Sequence, residues 1–290
     1  MTPLIEARNL SDTLLAGKSY REIRDIRQYI VQDRFHVPIR SVRLCSKASV
    51  ASTIPINFNE KERKASYGGL IVCHNKVLCP KCAPRLRYEK ALQVERAINR
   101  HLDTGGEAYA LTLTVNSEDY ETIEEGFDLL NHSWNSAFSG RHRRELRLKY
   151  GMCGYFKAID NTFQPARFKT HLHLHCLVLF KKPLSIEEEE AVRRKIIGSW
   201  VRSVKYNSEG KNIAYESLQR FTKLYTPTSS RTDGEAIAQY LVKAFGEAAR
   251  EITGAYNKTG RSADSLGIWE MVDLCHGLDP DDPLFLRIKA

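Results

Sequence analysis

Long apolar runs are missing from this chain, and their absence argues against a membrane-spanning protein. The longest, such as residues 176–180, fall far short of the roughly 18 residues that a helix needs to cross a bilayer. Residues 1–6 contain no basic stretch followed by an apolar one, so we expect no signal peptide. Internal repeats and low-complexity tracts are also missing. These absences together predict a cytoplasmic protein with no membrane partner.

Cysteine is infrequent and odd in number, which argues against a disulfide framework. Three of the seven cysteines crowd into Cys73, Cys79 and Cys82. In a reducing compartment such clustering favours metal over disulfides. With Cys45 they provide four thiolates, enough for a closed zinc site, and His74 is an alternative fourth ligand. A redox Cys-x-x-Cys is less well supported, because no thioredoxin-like strand and helix surround the pair.

Acidic residues are outnumbered, which gives the chain a net charge of +9 and a pI of about 9.1. A basic surplus of this size suggests an acidic polymer as partner, usually nucleic acid. Two basic clusters could follow a DNA backbone, although a solvated helix face would explain either of them. The DNA-binding candidates are Arg85, Arg87, Lys90, Arg141, Arg143 and Arg144.

Hydrophobic periodicity predicts an α+β fold with a central, mainly antiparallel sheet and flanking helices. The predicted helices are 11–35, 84–102, 121–138, 186–202 and 235–250. The predicted strands are 109–115, 154–160 and 171–180, and residues 45–82 resemble a loop. We divide the chain into an N-terminal helical region (1–44), a Cys-rich zinc module with a basic helix (45–102), an α+β domain (103–252) and a C-terminal extension (253–290).

Three histidines alternate along the last predicted strand. Side chains two residues apart share one face of a strand, so His171, His173 and His175 project together. Neutral imidazole is the commonest metal ligand in proteins and suits several divalent ions. A lone histidine on a strand is usually structural, but three of the nine within five residues favour a metal site.

Four stretches, in the same order, resemble the motifs of HUH endonucleases, which include rolling-circle Rep proteins, relaxases and some transposases. Residues 169–178 resemble the three-histidine form of plasmid Rep proteins, with Leu172 where a proline often lies. Residues 111–115 resemble the first motif, and residues 155–160 resemble a strand ending in an acidic metal ligand. Residues 239–243 resemble the Tyr-x-x-Lys motif. A similar cysteine cluster precedes the first motif in plasmid Rep proteins.

The resemblance covers about residues 45–250 and makes 103–252 an expected HUH nuclease domain. It implies that Tyr240 attacks DNA phosphorus, leaving a 5′-phosphotyrosine and a free 3′-hydroxyl. Lys243 follows at i+3 and would contact phosphate or favour the phenolate. A Mg²⁺ or Mn²⁺ ion would polarise the phosphate. Its implied ligands are His171, His173, His175 and Asp160.

The tyrosine motif departs from the family pattern at one position. Plasmid members carry a glutamate four residues before the tyrosine that activates water in the closing step, and here that residue is Ala236. Glu235, one residue earlier, is the candidate for this role. No second tyrosine lies one turn away, since Ala244 occupies the other position. Tyr225 and Tyr256 are the remaining candidates for the nucleophile.

These inferences predict a plasmid replication initiator that nicks one strand at a double-stranded origin, leaves a 3′-hydroxyl primer and later rejoins the ends. Its expected partners are origin DNA, single-stranded at the nick, and a host helicase and DNA polymerase. Its expected cofactors are catalytic Mg²⁺ or Mn²⁺ and structural Zn²⁺. The alternatives are an HUH relaxase or transposase and, in another class, a non-catalytic zinc-containing DNA-binding regulator.

Overall fold

The computed structural model describes residues 15–116, 122–164, 169–211, 214–224 and 266–289. The helices are α1 (Tyr20–Tyr29, continued by a π-helical turn at Ile30–Arg34), α2 (Arg40–Leu44), α3 (Cys82–Asp103), α4 (Ile123–Ala137), α5 (Gly140–Tyr150), α6 (Ile186–Asn207), α7 (Ile268–Leu274) and α8 (Pro283–Lys289). The strands are β1 (Ile56–Asn59), β2 (Lys64–Tyr67), β3 (Glu107–Thr114), β4 (Met152–Gln164), β5 (Lys169–Phe180) and β6 (Arg220–Leu224). In the part of the chain so described, every helix is too short or too polar to cross a membrane.

The larger of two compact units, Tyr88–Gly267, is built on a four-stranded antiparallel sheet in the order β4–β5–β3–β6. The strand with the three histidines, β5, pairs with β4 on one side and β3 on the other. It is therefore central, as its mixed pattern of histidines and apolar residues predicts. The predicted α+β class, with an antiparallel sheet and flanking helices, is confirmed.

One face of this sheet packs against helices and forms the main core of the larger unit with them. Leu172, Leu174 and Cys176 of β5 lie on this face, fully buried. They pack in one cluster with Trp134 of α4 and Trp200 of α6. The alternation of β5 thus sends these three side chains to the core and the histidines to the other face.

The two helices on the core face begin with capping boxes. The hydroxyl of Thr122 accepts a hydrogen bond from the N–H of Glu125 at the start of α4, and Ser185 does the same with Glu188 at the start of α6. In both cases the glutamate carboxylate accepts a hydrogen bond from the capping residue in return. Such boxes fix where a helix starts, so the apolar side of each helix meets the sheet in a defined register.

The opposite face of the sheet carries the histidines at one end and an apolar patch at the other. In the patch, Leu177 packs with Val94 and Ile98 of α3. The basic helix predicted after the cysteines is therefore amphipathic. Its apolar side covers the end of the sheet that the histidines do not occupy.

Helix α5 and strand β6 were not predicted from the sequence. In α5 the buried residues are Leu146 and Tyr150, which lie among arginines, a lysine and a glutamate that mask their helical spacing. In β6 only Leu224 is buried, since the strand lies at the edge of the sheet. Both elements carry too few apolar residues to produce a periodic signal.

The smaller unit joins Met1–Arg87 to Ile268–Ala290. Its described core brings Ile30 and Val42 together with Trp269 and Phe285. The C-terminal residues, which carry no sequence motif, thus complete a core with the N-terminal helices. The unit boundaries lie within α3 and before α7, whereas the sequence suggested boundaries at 44, 102 and 252.

Two contacts join the N-terminal and C-terminal segments of this unit. The guanidinium of Arg27 donates two hydrogen bonds to the carboxylate of Asp273, at 2.7 and 2.6 Å. The Arg34 side chain donates to the carbonyls of Cys275 and Leu278.

Residues 45–82, which the sequence predicts to be loop-like, contain an antiparallel hairpin, β1–β2, whose side chains are all exposed.

Candidate metal centres

The four predicted cysteines lie together in the smaller unit. The Sγ atoms of Cys45, Cys73, Cys79 and Cys82 all fall within 4.8 Å of one another. Cys45 Sγ is 3.6 Å from Cys79 Sγ and 3.6 Å from Cys82 Sγ. A tetrahedral zinc with Zn–S bonds of ~2.3 Å separates its sulfurs by about 3.8 Å. The group can therefore bind a structural metal such as zinc, and four thiolates leave no open position for a substrate.

Backbone pairing brings the two halves of this cluster side by side. Cys45 follows directly after α2, and Cys73 lies in the loop before α3. The Ser46 N–H donates to the Ile71 carbonyl at 2.8 Å, and the Ile71 N–H donates to Ala48 at 2.8 Å. This short ladder holds the segment after Cys45 against the segment before Cys73, although the two lie far apart in sequence.

Backbone N–H groups also point at the sulfurs. The N–H of Asn75 donates to Cys73 Sγ, and the N–H of Cys82 donates to Cys79 Sγ, both at 3.4 Å. Such bonds favour the thiolate form that a metal requires. His74, the alternative fourth ligand, is not part of the set of close donor atoms among the described residues. Its φ of 53° instead forms the turn that presents the Asn75 N–H.

A buried glutamine fixes the backbone of Cys45. Gln32 is only 3% exposed, and its amide donates to the carbonyls of Val42 at 2.7 Å and Cys45 at 3.1 Å. Gln28 also donates to the Cys45 carbonyl, at 2.8 Å. The sequence offered no signal for this role, because Gln32 lies on the π-helical turn, remote from every cysteine in sequence.

The three predicted histidine ligands share one face of the larger unit's sheet. On β4, Asp160 lies directly opposite His173, and Thr162 lies opposite His171. The Oδ2 atom of Asp160 is 3.7 Å from His175 Nε2. The structure therefore places the predicted carboxylate beside the predicted imidazoles, in agreement with the alternation of both strands.

His175 is buried and contacts the neighbouring strand β3. It is 8% exposed, and its Nδ1 lies 3.3 Å from the hydroxyl of Thr112. This contact directs Nε2 towards Asp160. The 3.7 Å between Nε2 and Oδ2 is too long for a hydrogen bond. It is slightly longer than the roughly 3.0–3.4 Å that separates two ligands of one divalent ion, so a small side-chain movement would accommodate an ion.

His173, opposite Asp160, and His171 continue this face along β5 towards the start of the strand. Their ring centroids are 4.2 Å apart, and His173 and His175 are 6.1 Å apart. Burial lowers the pKa of His171, which favours the neutral form that binds metal. Within the described ranges, only the cysteine group brings three or more ligand atoms within 4.8 Å. The histidine face thus provides one close pair of donors with two further imidazoles beside it.

Two residues of this face were not selected from the sequence. Thr112 supports His175, and Arg220 lies opposite Thr112 on β6, so its side chain projects from the histidine face. Thr112 could have been found, because Thr112 and Thr114 alternate on β3 as the histidines do on β5. Arg220 could not, because β6 itself was not predicted.

The predicted nucleophile and its neighbours lie outside the described residues. Tyr240, Lys243 and Glu235 belong to this group, as do the secondary candidates Tyr225 and Tyr256. Their assignment remains a prediction from the tyrosine motif.

The six predicted DNA-binding residues occupy different surroundings. Arg87 donates to the carbonyls of Lys76 at 2.6 Å and Val77 at 3.4 Å, so it supports the loop that precedes Cys79. The exposed members of the set are Arg85, Lys90, Arg141, Arg143 and Arg144.

Comparison of the chain with protein-family models, with curated proteins and with solved structures gave no match in any of the three.

Proposed function

We propose that this protein is a metal-dependent DNA-nicking enzyme of the HUH type, acting as a plasmid rolling-circle replication initiator. The observation that supports this most directly is the position of the histidine strand. It is the central strand of an antiparallel sheet, and Asp160 of the neighbouring strand lies opposite His173 and 3.7 Å from His175. The resemblance to HUH enzymes implies this combination of imidazoles and an acidic ligand.

In this proposal His175, Asp160 and His173 hold a Mg²⁺ or Mn²⁺ ion, with His171 as a further ligand. The bound ion would supply electrostatic stabilisation of the charge that develops on the scissile phosphate. Thr112 orients His175 through its Nδ1 atom, as outer partners of metal-binding histidines commonly do.

The bond changes follow from a tyrosine nucleophile. The Tyr240 oxygen forms a bond to phosphorus, and the bond between phosphorus and the 3′ oxygen breaks. The phenolic proton is lost, and the leaving oxygen gains a proton to become the 3′-hydroxyl primer. Lys243 contacts the phosphate. Attack by a 3′-hydroxyl on the phosphotyrosine reverses these steps and rejoins the strand.

The test is a covalent adduct. The purified chain is incubated with Mg²⁺ or Mn²⁺ and labelled single-stranded candidate origin DNA, then separated on a denaturing protein gel. We expect a labelled band that disappears in Tyr240→Phe and persists in Tyr206→Phe, a matched control at an exposed tyrosine. Replacing His173 and His175 with alanine should abolish the band while duplex binding persists. No adduct with any candidate origin and metal would contradict the proposal.

The four-cysteine cluster favours a second candidate, a zinc-containing DNA-binding regulator without catalysis. Such a protein would bind duplex DNA, form no adduct and retain its full binding in Tyr240→Phe. A relaxase or transposase would form the adduct, but on transfer-origin or transposon-end DNA instead of a replication origin. The same gel therefore separates all three.

A further inference from the structure

A cationic pocket lies between α5 and the start of β4 in the larger unit. Its cavity volume is about 730 Å³, and its charged lining consists of Arg143, Arg144, Arg147 and Lys181. Leu148 contributes exposed apolar surface to the same pocket, and the buried Met152 lies beneath it. We call this group the arginine pocket. Arg143, Arg144 and Arg147 belong to the second basic cluster of the sequence, whereas no sequence pattern singled out Lys181.

The fold of α5 explains why the cations converge. Leu146 and Tyr150 are buried in the core, so the opposite side of the helix faces outwards. Arg143, Arg144 and Arg147 are exposed and lie along one flank of the helix, next to this buried side, at spacings of three and four residues. The helix ends at Gly151, whose φ of 75° is the left-handed conformation that favours glycine. This turn folds β4 back beside the helix.

The acidic residues nearby do not neutralise the pocket. No carboxylate belongs to the lining among the described residues. Glu145 is the only acidic residue of α5, and it forms an ion pair with Lys195 of α6 at 2.6 Å. Four cations around one concave surface repel one another, and an anion entering the pocket relieves that repulsion.

We propose that the arginine pocket binds the phosphodiester backbone of single-stranded DNA. The cations fit phosphate oxygens, which guanidinium groups bind through paired hydrogen bonds. Leu148, which is 74% exposed, offers apolar contact to a sugar or an unstacked base. A duplex stacks its bases inside and would leave that apolar surface unused. The cavity also lies within the range of about 300–1,000 Å³ usual for pockets that hold one small chemical unit.

That the bound anion is DNA rests on the proposed function, whereas the existence of an anion site rests on the four cationic side chains that line the pocket. Asp160 follows Cys153 of the pocket by seven residues on the same strand, which is about 23 Å at the usual rise. The arginine pocket is therefore separate from the histidine face. It would hold a part of the strand several nucleotides away from the scissile phosphate.

Cys153 lines the pocket, so the reactivity of its thiol can report whether the pocket is occupied. Among the described cysteines Cys153 alone is exposed. We therefore measure alkylation of Cys153 in the full chain by mass spectrometry, with and without an unlabelled oligodeoxynucleotide. The expected result is slower alkylation with the phosphodiester oligonucleotide and no protection by an uncharged methylphosphonate of the same sequence.

Binding of the same oligonucleotide to Arg144→Gln/Arg147→Gln is measured alongside. We expect a loss of about tenfold or more, since charge-assisted contacts commonly contribute that much each. The slope of log K against log salt should fall by about 1.4, from roughly 0.7 for each phosphate contact on a single strand. The matched control is Arg193→Gln/Arg194→Gln, which removes the same charge from the ion pairs with Glu190 on α6 and should leave both readouts unchanged.

Several outcomes would overturn this inference. These are no protection of Cys153, equal protection by the uncharged oligonucleotide, stronger protection by duplex DNA, or protection only by vesicles of anionic lipid. The proposed function is tested separately, because alkylation and equilibrium binding require neither the metal nor Tyr240. Protection of Cys153 without any covalent adduct would support the pocket and contradict the nicking enzyme.

Discussion

Zinc affinity of the four-cysteine cluster should rise steeply with pH. Burial raises the pKa of Cys73 to about 11 and also raises the pKa of Cys79. Both thiols are therefore protonated near neutral pH in the metal-free folded chain. Zinc binds thiolates, so it must displace at least these two protons.

The magnitude follows from the number of displaced protons. Each proton released on binding makes the apparent association constant rise tenfold for each pH unit. Two protons give an increase of about 100-fold for each unit between pH 6 and 8, where both groups remain protonated in the metal-free state. Acidification therefore favours the metal-free protein.

The assay is competition for zinc between the protein and a chelator of known pH dependence, at pH 6, 7 and 8. We expect one zinc for each chain, lost in Cys79→Ser. Cys153→Ser is the matched control, because this exposed thiol lies outside the cluster. A slope well below 100-fold for each pH unit would refute the reasoning, since at least one of the two buried thiols would then not release a proton to zinc.

Three further predictions concern the surroundings of the two sites. Gln32→Leu should weaken zinc binding about tenfold or more while the chain stays folded, because residues that hydrogen-bond to metal ligands commonly contribute that much to metal affinity. Unchanged zinc affinity in the chelator assay would contradict this. Glu107→Gln should lower the free energy of unfolding by about 2 kcal/mol. The reason is that Glu107 forms an ion pair with Lys223 and accepts a hydrogen bond from the Leu184 N–H at 3.0 Å. Urea unfolding of the variant measures this change in stability. Asp273→Asn should cost a similar ~2 kcal/mol by breaking its charged hydrogen bonds with the Arg27 guanidinium, which an unshifted melting temperature would disprove.

The elements that bury an apolar side were predictable from the sequence. Strand β5 alternates histidines with Leu172 and Leu174, and the structure gives it two faces of different character. Helices α3, α4 and α6 were likewise predicted within a few residues of their observed bounds, apart from the last five residues of α6. Amphipathic periodicity reports burial, and burial is what fixes these elements in place.

The elements that bury little were not predictable. Every side chain of the hairpin β1–β2 is exposed. Ile56 and Phe58 alternate with asparagines, but neither apolar side chain is buried, and burial of one side is what usually produces such alternation in a strand. The edge strand β6 and the arginine-rich helix α5 also bury too few side chains to be recognised from the sequence. Their positions depend on pairing with β3 and on packing against the core, which are tertiary effects.

The candidate sites show the same division. The ligand types could be chosen from spacing, because alternate histidines share a face and Cys79 and Cys82 flank one turn. The residues that orient them could not, since Gln32 and Thr112 act through contacts with partners remote in sequence. Orientation depends on tertiary structure, which local sequence patterns do not encode.

The two sets of ligands differ in a way that separates their roles. The cysteine cluster is a closed set of soft, mostly buried donors whose four sulfurs already lie at spacings close to those of tetrahedral zinc. The histidine face has one close pair, His175 and Asp160, so an ion held there would keep several positions for water or a phosphate oxygen. A closed site can stabilise a fold but cannot bind a substrate. Under the proposed function, chemistry on a phosphate would therefore occur at the open face, so the pH dependence of zinc binding and the dependence of adduct formation on Mg²⁺ or Mn²⁺ can be tested independently of each other.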